Sequence, residues 1–271
     1  HIIKREKPNI IFSKGGFVSV PVVLAAKFCG VPAIIHESDI TLGLANKIAI
    51  HGAKKVCCNF PETVRNIPNY KGVLTGTPIR KDLFDGNEKR AIEVCGFKDH
   101  SKPVLLIIGG SSGAKKINEM VRRNLNSLLE KYYIIHLCGQ GNYLVDINDV
   151  MGYVQFEYAN DELKDIFSLA DIVLSRAGAN SIGELATLAL PNILIPLTRD
   201  QSRGDQILNA RSYVKQGFSV MLEEDTLTDQ DLLNTIDSVY NNKEYFINNM
   251  KKKAKINSEE IIINIIETNS L

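Results

Sequence analysis

The sequence predicts a two-domain α/β protein with doubly wound, parallel sheets. Short β-branched apolar runs alternate with amphipathic segments along the whole chain, the pattern of parallel βαβ units. At 271 residues the chain is long for one ordinary domain and suits two. The series of strands breaks at Gly76-Thr77-Pro78-Ile79-Arg80, where Pro and Gly punctuate, and the polar stretch Lys81 to Arg90 follows.

The first series reads as strands at Asn9 to Phe12, Ala33 to His36, Lys55 to Cys58 and Gly72 to Thr75. Helix-like stretches lie near Pro21 to Phe28 and Gly43 to Ile50. The second series reads as strands at Val104 to Ile108, Tyr133 to Cys138, Tyr153 to Phe156, Ile172 to Leu174 and Asn192 to Ile195. These runs are apolar throughout rather than alternating, which fits strands buried on both faces. From Asp229 onward the pattern is helical, with a basic run from Lys251 to Lys255 and a last segment, Ser258 to Thr268, whose isoleucines form one stripe.

Composition narrows the function classes. Lys+Arg 32 against Asp+Glu 31 gives a net charge of +1, so charge gives no sign of a nucleic-acid-binding protein, and none is expected as a partner. The five cysteines are odd in number and form no C-x-x-C, which favours reduced thiols over disulfides. Adjacent Cys57 and Cys58 should point to opposite faces of their strand, poor geometry for joint zinc ligation. No run of 18 apolar residues suggests a transmembrane helix.

Chemistry concentrates at strand ends. Ile107 to Ala114 reads as a strand entering the glycine loop Gly109-Gly110-Ser111-Ser112-Gly113 and then a helix. Glycines let such a loop approach a ligand, the helix start offers N–H groups and a positive dipole end to an anion, and Ser111 adds a hydroxyl. A tight turn built for packing alone is the alternative. The loop lacks G-x-G-x-x-G and the G-K-[ST] ending of a P-loop, so neither a dinucleotide enzyme nor a kinase is favoured. Ser175 to Glu184 follows the strand at Ile172; here Ser181 and Glu184 fit a capping box, or Glu184 accepts from the hydroxyls of a ribose. Ser13-Lys14-Gly15-Gly16-Phe17 and His36-Glu37-Ser38-Asp39 follow first-series strands and are expected at the same inter-domain crevice. His36 and Glu37 are candidates for acid–base work or sugar contacts, with a structural role as the alternative. The polar loop Thr198 to Gln206 follows the strand at Asn192. Asp229-Gln230-Asp231, the only D-x-D, precedes an apolar helical turn and reads as a cap rather than a metal site. No metal and no cofactor are expected.

Together these blocks resemble glycosyltransferase family 28, and within it the undecaprenyldiphospho-muramoylpentapeptide β-N-acetylglucosaminyltransferases that convert lipid I to lipid II. The blocks are Ser13 to Ser19, His36 to Asp39 with Gly43 to Lys47, Gly76 to Arg80, Gly109 to Ala114, Arg176 to Glu184, and Asp205-Gln206 to Asn209-Ala210, in the family's order over essentially the whole chain. The resemblance implies two Rossmann-like domains of the GT-B type, divided as 1–79 (acceptor and membrane side), 80–250 (UDP-N-acetylglucosamine) and a returning helix, 251–271. It implies donor contacts at Arg80, Ser111, Ala159, Asn160, Ala179, Asn180, Ser181, Ile182, Gly183, Glu184, Asp205 and Gln206. Ser111 would face the diphosphate, Ala159 and Asn160 the uracil, and Asp205 with Gln206 the sugar hydroxyls. Asp39 stands where some members have a donor-binding Asn, so it keeps an acceptor and loses a donor. The implied chemistry is inverting transfer without a metal to polyprenyl-pyrophosphate-linked lipid I, by a peripheral protein on the anionic cytoplasmic face of the bacterial membrane.

The family also opens with a strand and a glycine loop ending in a His that is a candidate base. His1 follows that point in the pattern, so the first domain is expected to be incomplete, and residues 1–271 are expected to bind donor yet transfer little sugar. Two other readings stay open on the residues: another GT-B glycolipid glycosyltransferase, and a non-catalytic UDP-sugar-binding fragment.

Overall fold

The computed structural model describes residues 1–110, 113–147, 150–253 and 257–271. The chain divides into two compact units, His1–Ile79 with Lys255–Leu271, and Arg80–Ala254.

In the first unit four strands, β1 (Ile11–Ser13), β2 (Ala33–Glu37), β3 (Lys55–Cys58) and β4 (Gly72–Leu74), form a parallel sheet in sequential order. The helices of this stretch are α1 (Ile2–Glu6), α2 (Ser19–Phe28), α3 (Leu44–Ala49) and α4 (Pro61–Arg65). One sheet face packs Ala33, Ile35, Val56 and Cys58 against Val23 and Ala26 of α2 and Ala49 of α3. The other face packs Ile34 and Cys57 against Ile262 and Ile265 of α13 (Ser258–Asn269), the C-terminal helix. Cys57 and Cys58 thus face opposite cores, as alternation along a strand requires. Among the described residues all five cysteines are free thiols.

The second unit begins with a 3-10 turn (Lys81–Phe84) and α5 (Glu88–Cys95), which is capped by the Asn87 side chain and stopped by Gly96 at φ 66°. Its strands are β5 (Val104–Ile108), β6 (Tyr133–Leu137), β7 (Tyr153–Phe156), β8 (Ile172–Ser175), β9 (Asn192–Leu194) and β10 (Ser219–Met221). They lie parallel in the order β10-β9-β8-β5-β6-β7, so strand order reverses between β5 and β8. The sequence pattern had missed β10, a three-residue edge strand too short to show periodicity. Connecting helices are α6 (Lys115–Arg123), α7 (Leu125–Lys131), α8 (Leu163–Leu169), α9 (Ala179–Thr187), α10 (Asp205–Lys215), α11 (Asp229–Asn241) and α12 (Lys243–Lys253). Leu106, Ile135 and Val173 from three neighbouring strands pack on Ile166 and Phe167 of α8 and Leu185 of α9. No helix among the described residues is long and apolar enough to cross a membrane.

Candidate donor and acceptor sites

Ligands in open α/β sheets bind outside the carboxyl ends of the strands where strand order reverses, here the ends of β5 and β8. After β5 the chain turns through Gly109 and Gly110, with Ser111 and Ser112 outside the described residues, and then enters α6 through Gly113 and Ala114. A Cβ on Gly109 would stand 2.6 Å from the Ala114 nitrogen, and one on Gly113, at φ 73°, would stand 2.3 Å from the Cys138 carbonyl oxygen. Only glycine fits either place.

α6 starts with no side-chain cap and no acidic residue in its first turn, and Lys115 and Lys116 occupy that turn instead. Cations at a helix start oppose the dipole, so this arrangement weakens the helix while making its N-terminus more attractive to an anion. α9 likewise starts at Gly178 without a side-chain cap or an acid in its first turn. Two helix starts with N–H groups left uncapped by side chains therefore flank the reversal point.

Beside them lies a cavity of about 230 Å³, walled by Ile108, Leu137, Tyr158, Ala159, Leu163 and Phe167, with Ser181 and Glu184 on one side. The apolar wall suits a flat ring, and the polar side suits its hydroxylated sugar. Burial raises the Glu184 carboxyl above the usual range, and the charge of Arg80 opposes that rise. Among the described residues no hydrogen bond reaches the half-buried Glu184 carboxylate, while its backbone carbonyl accepts from Leu188. The capping box is corrected by the structure. α9 begins at Ala179 with Gly178 as its cap, so Ser181 lies inside the helix and cannot cap it, and Glu184 is free of that duty.

The other expected donor residues divide. Ala179, Ile182 and Gly183 are buried, so the Ala179 and Ile182 side chains face packing and only backbone groups near the helix start are offered; Asn180 is exposed. Ala159 lines the cavity, whereas the Asn160 N–H donates to Glu162 Oε2 at 3.3 Å and its carbonyl accepts from Leu163. Gln206 Oε1 accepts from the backbone N–H groups of Ala177 (3.3 Å) and Leu197 (3.1 Å), which ties the ends of β8 and β9 together and leaves the Nε2 amide as a donor. Asp205 opens α10 and pairs with Arg203 at 2.9 Å.

The sequence reading missed a buried ion pair. Arg176, directly after β8, donates to Ile195 O at 3.1 Å and meets Glu224 at 2.5 Å, and Lys116 of α6 lies 3.6 Å from the same carboxylate. This pair braces three strand ends around the site. Its only sequence signal is the acidic run Glu223-Glu224-Asp225 after an apolar strand. The D-x-D is a capping device: Asp231 and Thr228 form a reciprocal capping box, and Asp229 pairs with Arg123.

At the strand ends of the first unit, His36 is fully buried. Its Nδ1 lies 3.5 Å from Lys14 Nζ and 3.4 Å from Ser38 Oγ. Burial, helped by the Lys14 charge, lowers its pKa to about 4, so the ring is neutral at physiological pH. Glu37 accepts from the N–H groups of Asp39 (3.2 Å) and Gly43 (2.9 Å) and from Asn46 Nδ2 (2.9 Å). Its oxygens clasp the loop between β2 and α3. Asp39 is half-buried on that loop, and its carbonyl accepts from Thr63.

Comparison with known proteins decides the family. The C-terminal domain of glycosyltransferase family 28 matches residues 104–265, and its N-terminal domain matches residues 1–58. The chain belongs to glycosyltransferase family 28. Within the family it is 54% identical over 266 residues to the UDP-N-acetylglucosamine--N-acetylmuramyl-(pentapeptide) pyrophosphoryl-undecaprenol N-acetylglucosamine transferase of Clostridium botulinum (strain Loch Maree / Type A3), covering 98% of this chain and 75% of that protein. The same transferase of Clostridium novyi (strain NT) is 53% identical, with 98% and 74% covered. Among solved structures, MurG of Acinetobacter baumannii superposes with a TM-score of 0.76 at 26% identity over 98% of this chain and 75% of that one. The glycosyltransferase of kitacinnamycin, at 12% identity and a TM-score of 0.77, shares the fold. The fold is the GT-B type.

Proposed function

We infer that this chain transfers N-acetylglucosamine from UDP-N-acetylglucosamine to lipid I, forming lipid II in peptidoglycan synthesis. The observation that carries this reading is the 54% identity over 98% of the chain to a transferase whose name states that reaction. The acceptor is membrane-bound, so the protein works at a membrane surface.

In the same reading the second unit holds the donor. Uracil occupies the apolar cavity beside Ala159, Glu184 accepts from the ribose hydroxyls, and the diphosphate lies against the starts of α6 and α9 with Ser111. Arg80 stands near Glu184 as a cation, and Gln206 offers its Nε2 amide to the sugar, with Asp205 at the same helix start. The muramoyl 4-hydroxyl attacks the anomeric carbon as the bond from that carbon to the UDP oxygen breaks. The hydroxyl loses its proton to a base, the UDP oxygen keeps the bonding electrons, and the product is β-linked. The leaving group gains negative charge during the step, so the helix-start N–H groups act most strongly in the transition state.

The first unit supplies the acceptor side and the peripheral contact with the anionic cytoplasmic leaflet. That contact is supported by the exposure of Phe17 (83%), Val18 (67%) and Leu44 (70%), with cationic side chains on the same unit. His36 and Glu37 act there as positioning residues, His36 beside Lys14 and Glu37 within the Asp39 loop. The test is radiolabelled transfer by the purified protein, with lipid I and unrelated glycolipids as acceptors and UDP-N-acetylglucosamine and UDP-glucose as donors. Whatever label is transferred, little or much, should enter lipid I and come from UDP-N-acetylglucosamine. Label entering only another glycolipid would replace this reading with that of a different GT-B glycosyltransferase.

A further inference from the structure

Beneath the glycine loop of the second unit lies a polar cluster, Asn118, His136 and Tyr153, whose members are not among the residues lining the cavity. His136, on β6, is fully buried, and Asn118, the fourth residue of α6, is 2% exposed. Asn118 Nδ2 donates to the Cys138 carbonyl at 2.9 Å. A carbonyl only accepts, so the amide orientation is fixed and Oδ1 faces His136 Nε2 at 2.9 Å. That oxygen in turn requires the ring proton on Nε2. Nδ1 is then the acceptor, and the Tyr153 hydroxyl donates to it at 2.9 Å. Every member of the chain has one consistent role.

The location gives this cluster a task beyond filling space. Asparagine is a poor residue for a helix interior, and burying its amide adds a desolvation cost, so hydrophobic packing would be the cheaper solution. The Cys138 carbonyl that Asn118 holds is the atom against which Gly113 packs, at the 2.3 Å where a Cβ would fall. The same amide therefore fixes the height of α6 over β6 and the seat of the loop that precedes α6. Through Tyr153 the cluster also reaches β7, which leads into Tyr158 and Ala159 of the cavity wall.

We propose that Asn118 and His136 are positioning residues for the donor diphosphate, aiming the uncapped N–H groups of α6 by locking that helix onto the end of β6. The proposal rests on the donor reading given above. It distinguishes two parts of one ligand: the diphosphate depends on the aim of α6, whereas the nucleoside lies against the apolar wall and Glu184.

Calorimetry with UDP and with uridine, on wild type, Asn118→Leu, Asn118→Ser and Tyr153→Phe, tests it, with thermal melting in parallel. Leucine keeps the branched shape and removes both hydrogen bonds; serine is the reserve if the bulkier leucine variant fails to fold. UDP affinity should fall by about tenfold or more in the Asn118 variant, the loss of one charge-assisted contact, while uridine changes by less than about twofold. Tyr153→Phe removes the hydroxyl that faces His136 and Arg122 but leaves both Asn118 hydrogen bonds, and should lower the melting temperature with the UDP-to-uridine ratio kept. Equal weakening of UDP and uridine, or unchanged affinity for both in a folded Asn118 variant, would overturn the proposal and leave a core network concerned with stability alone. Wild-type protein binding neither compound would sink the donor reading, and this inference with it.

Discussion

Each unit carries a glycine loop at its strand ends and a glutamate beside it, and the two pairs are built differently. In the first unit Gly15 and Gly16 have φ of 98° and 86°, yet a Cβ on Gly16 would meet nothing within 4 Å. Those glycines serve backbone conformation. In the second unit Gly109 and Gly113 are required by contact, since added carbons would fall 2.6 and 2.3 Å from backbone atoms. Glu37 spends its carboxylate on three N–H donors between Asp39 and Asn46, whereas Glu184 is half-buried, lines a cavity and has a carboxylate that no hydrogen bond reaches among the described residues. A buried polar group without an internal partner is costly and calls for an explanation. The Glu37 carboxylate is satisfied by its own chain. The Glu184 carboxylate is not, and the starts of α6 and α9 beside it have no side-chain cap.

The largest expected effect separates the glycines. Gly113→Ala forces the loop off the Cys138 carbonyl and should weaken UDP binding by about a hundredfold, or nearly 3 kcal/mol. Gly16→Ala meets open space, so it should cost only the left-handed strain, about 1–2 kcal/mol of stability, without touching UDP affinity. Calorimetry and melting on both variants check this, and equal losses of UDP affinity would erase the contrast.

A smaller effect separates the glutamates. Glu37→Ala strands buried donors and should lower stability to urea by roughly 2–4 kcal/mol with UDP affinity unchanged. Weakened UDP binding in a folded Glu37 variant would show that its clasp serves the donor after all.

The smallest effect is a pH dependence. Burial raises the Glu184 carboxyl in the folded state, so protonation favours the fold. That contribution is complete below the unfolded pKa and is lost as pH rises through the folded value. Glu184→Gln should therefore be more stable than wild type at neutral pH, with the gap closing in acid. Urea unfolding across that range measures it, and a constant gap would mean the carboxylate is not desolvated.

Much of this was legible in the sequence because parallel strands buried on both faces are written as continuous apolar runs. Lys55–Cys58, Val104–Ile108 and Tyr153–Phe156 have the bounds that the pattern assigns. The edge strand Ser219–Met221 was hidden because three residues carry no period. Glu184 and Ala159, expected from local pattern joined to family resemblance, both line the cavity, but the capping box was misread. A Ser three residues before a Glu fits that pattern in one dimension, while only the structure shows that α9 starts two residues before Ser181. Glu224, Asn118 and His136 were invisible for another reason. Their partners lie 48, 18 and 17 residues away along the chain, and pairing at such distances leaves no local spacing to read.

The central claim is that the second unit was left chemically unsatisfied so that a nucleotide completes it. Titration of UDP into wild type and Glu184→Ala, followed by calorimetry, tests this most directly. The removal of up to two charge-assisted hydrogen bonds to the ribose should weaken UDP by at least about tenfold. An unchanged dissociation constant in a variant that folds as wild type does would contradict the claim, and Glu184 would then be a desolvated carboxylate with no ligand to answer it.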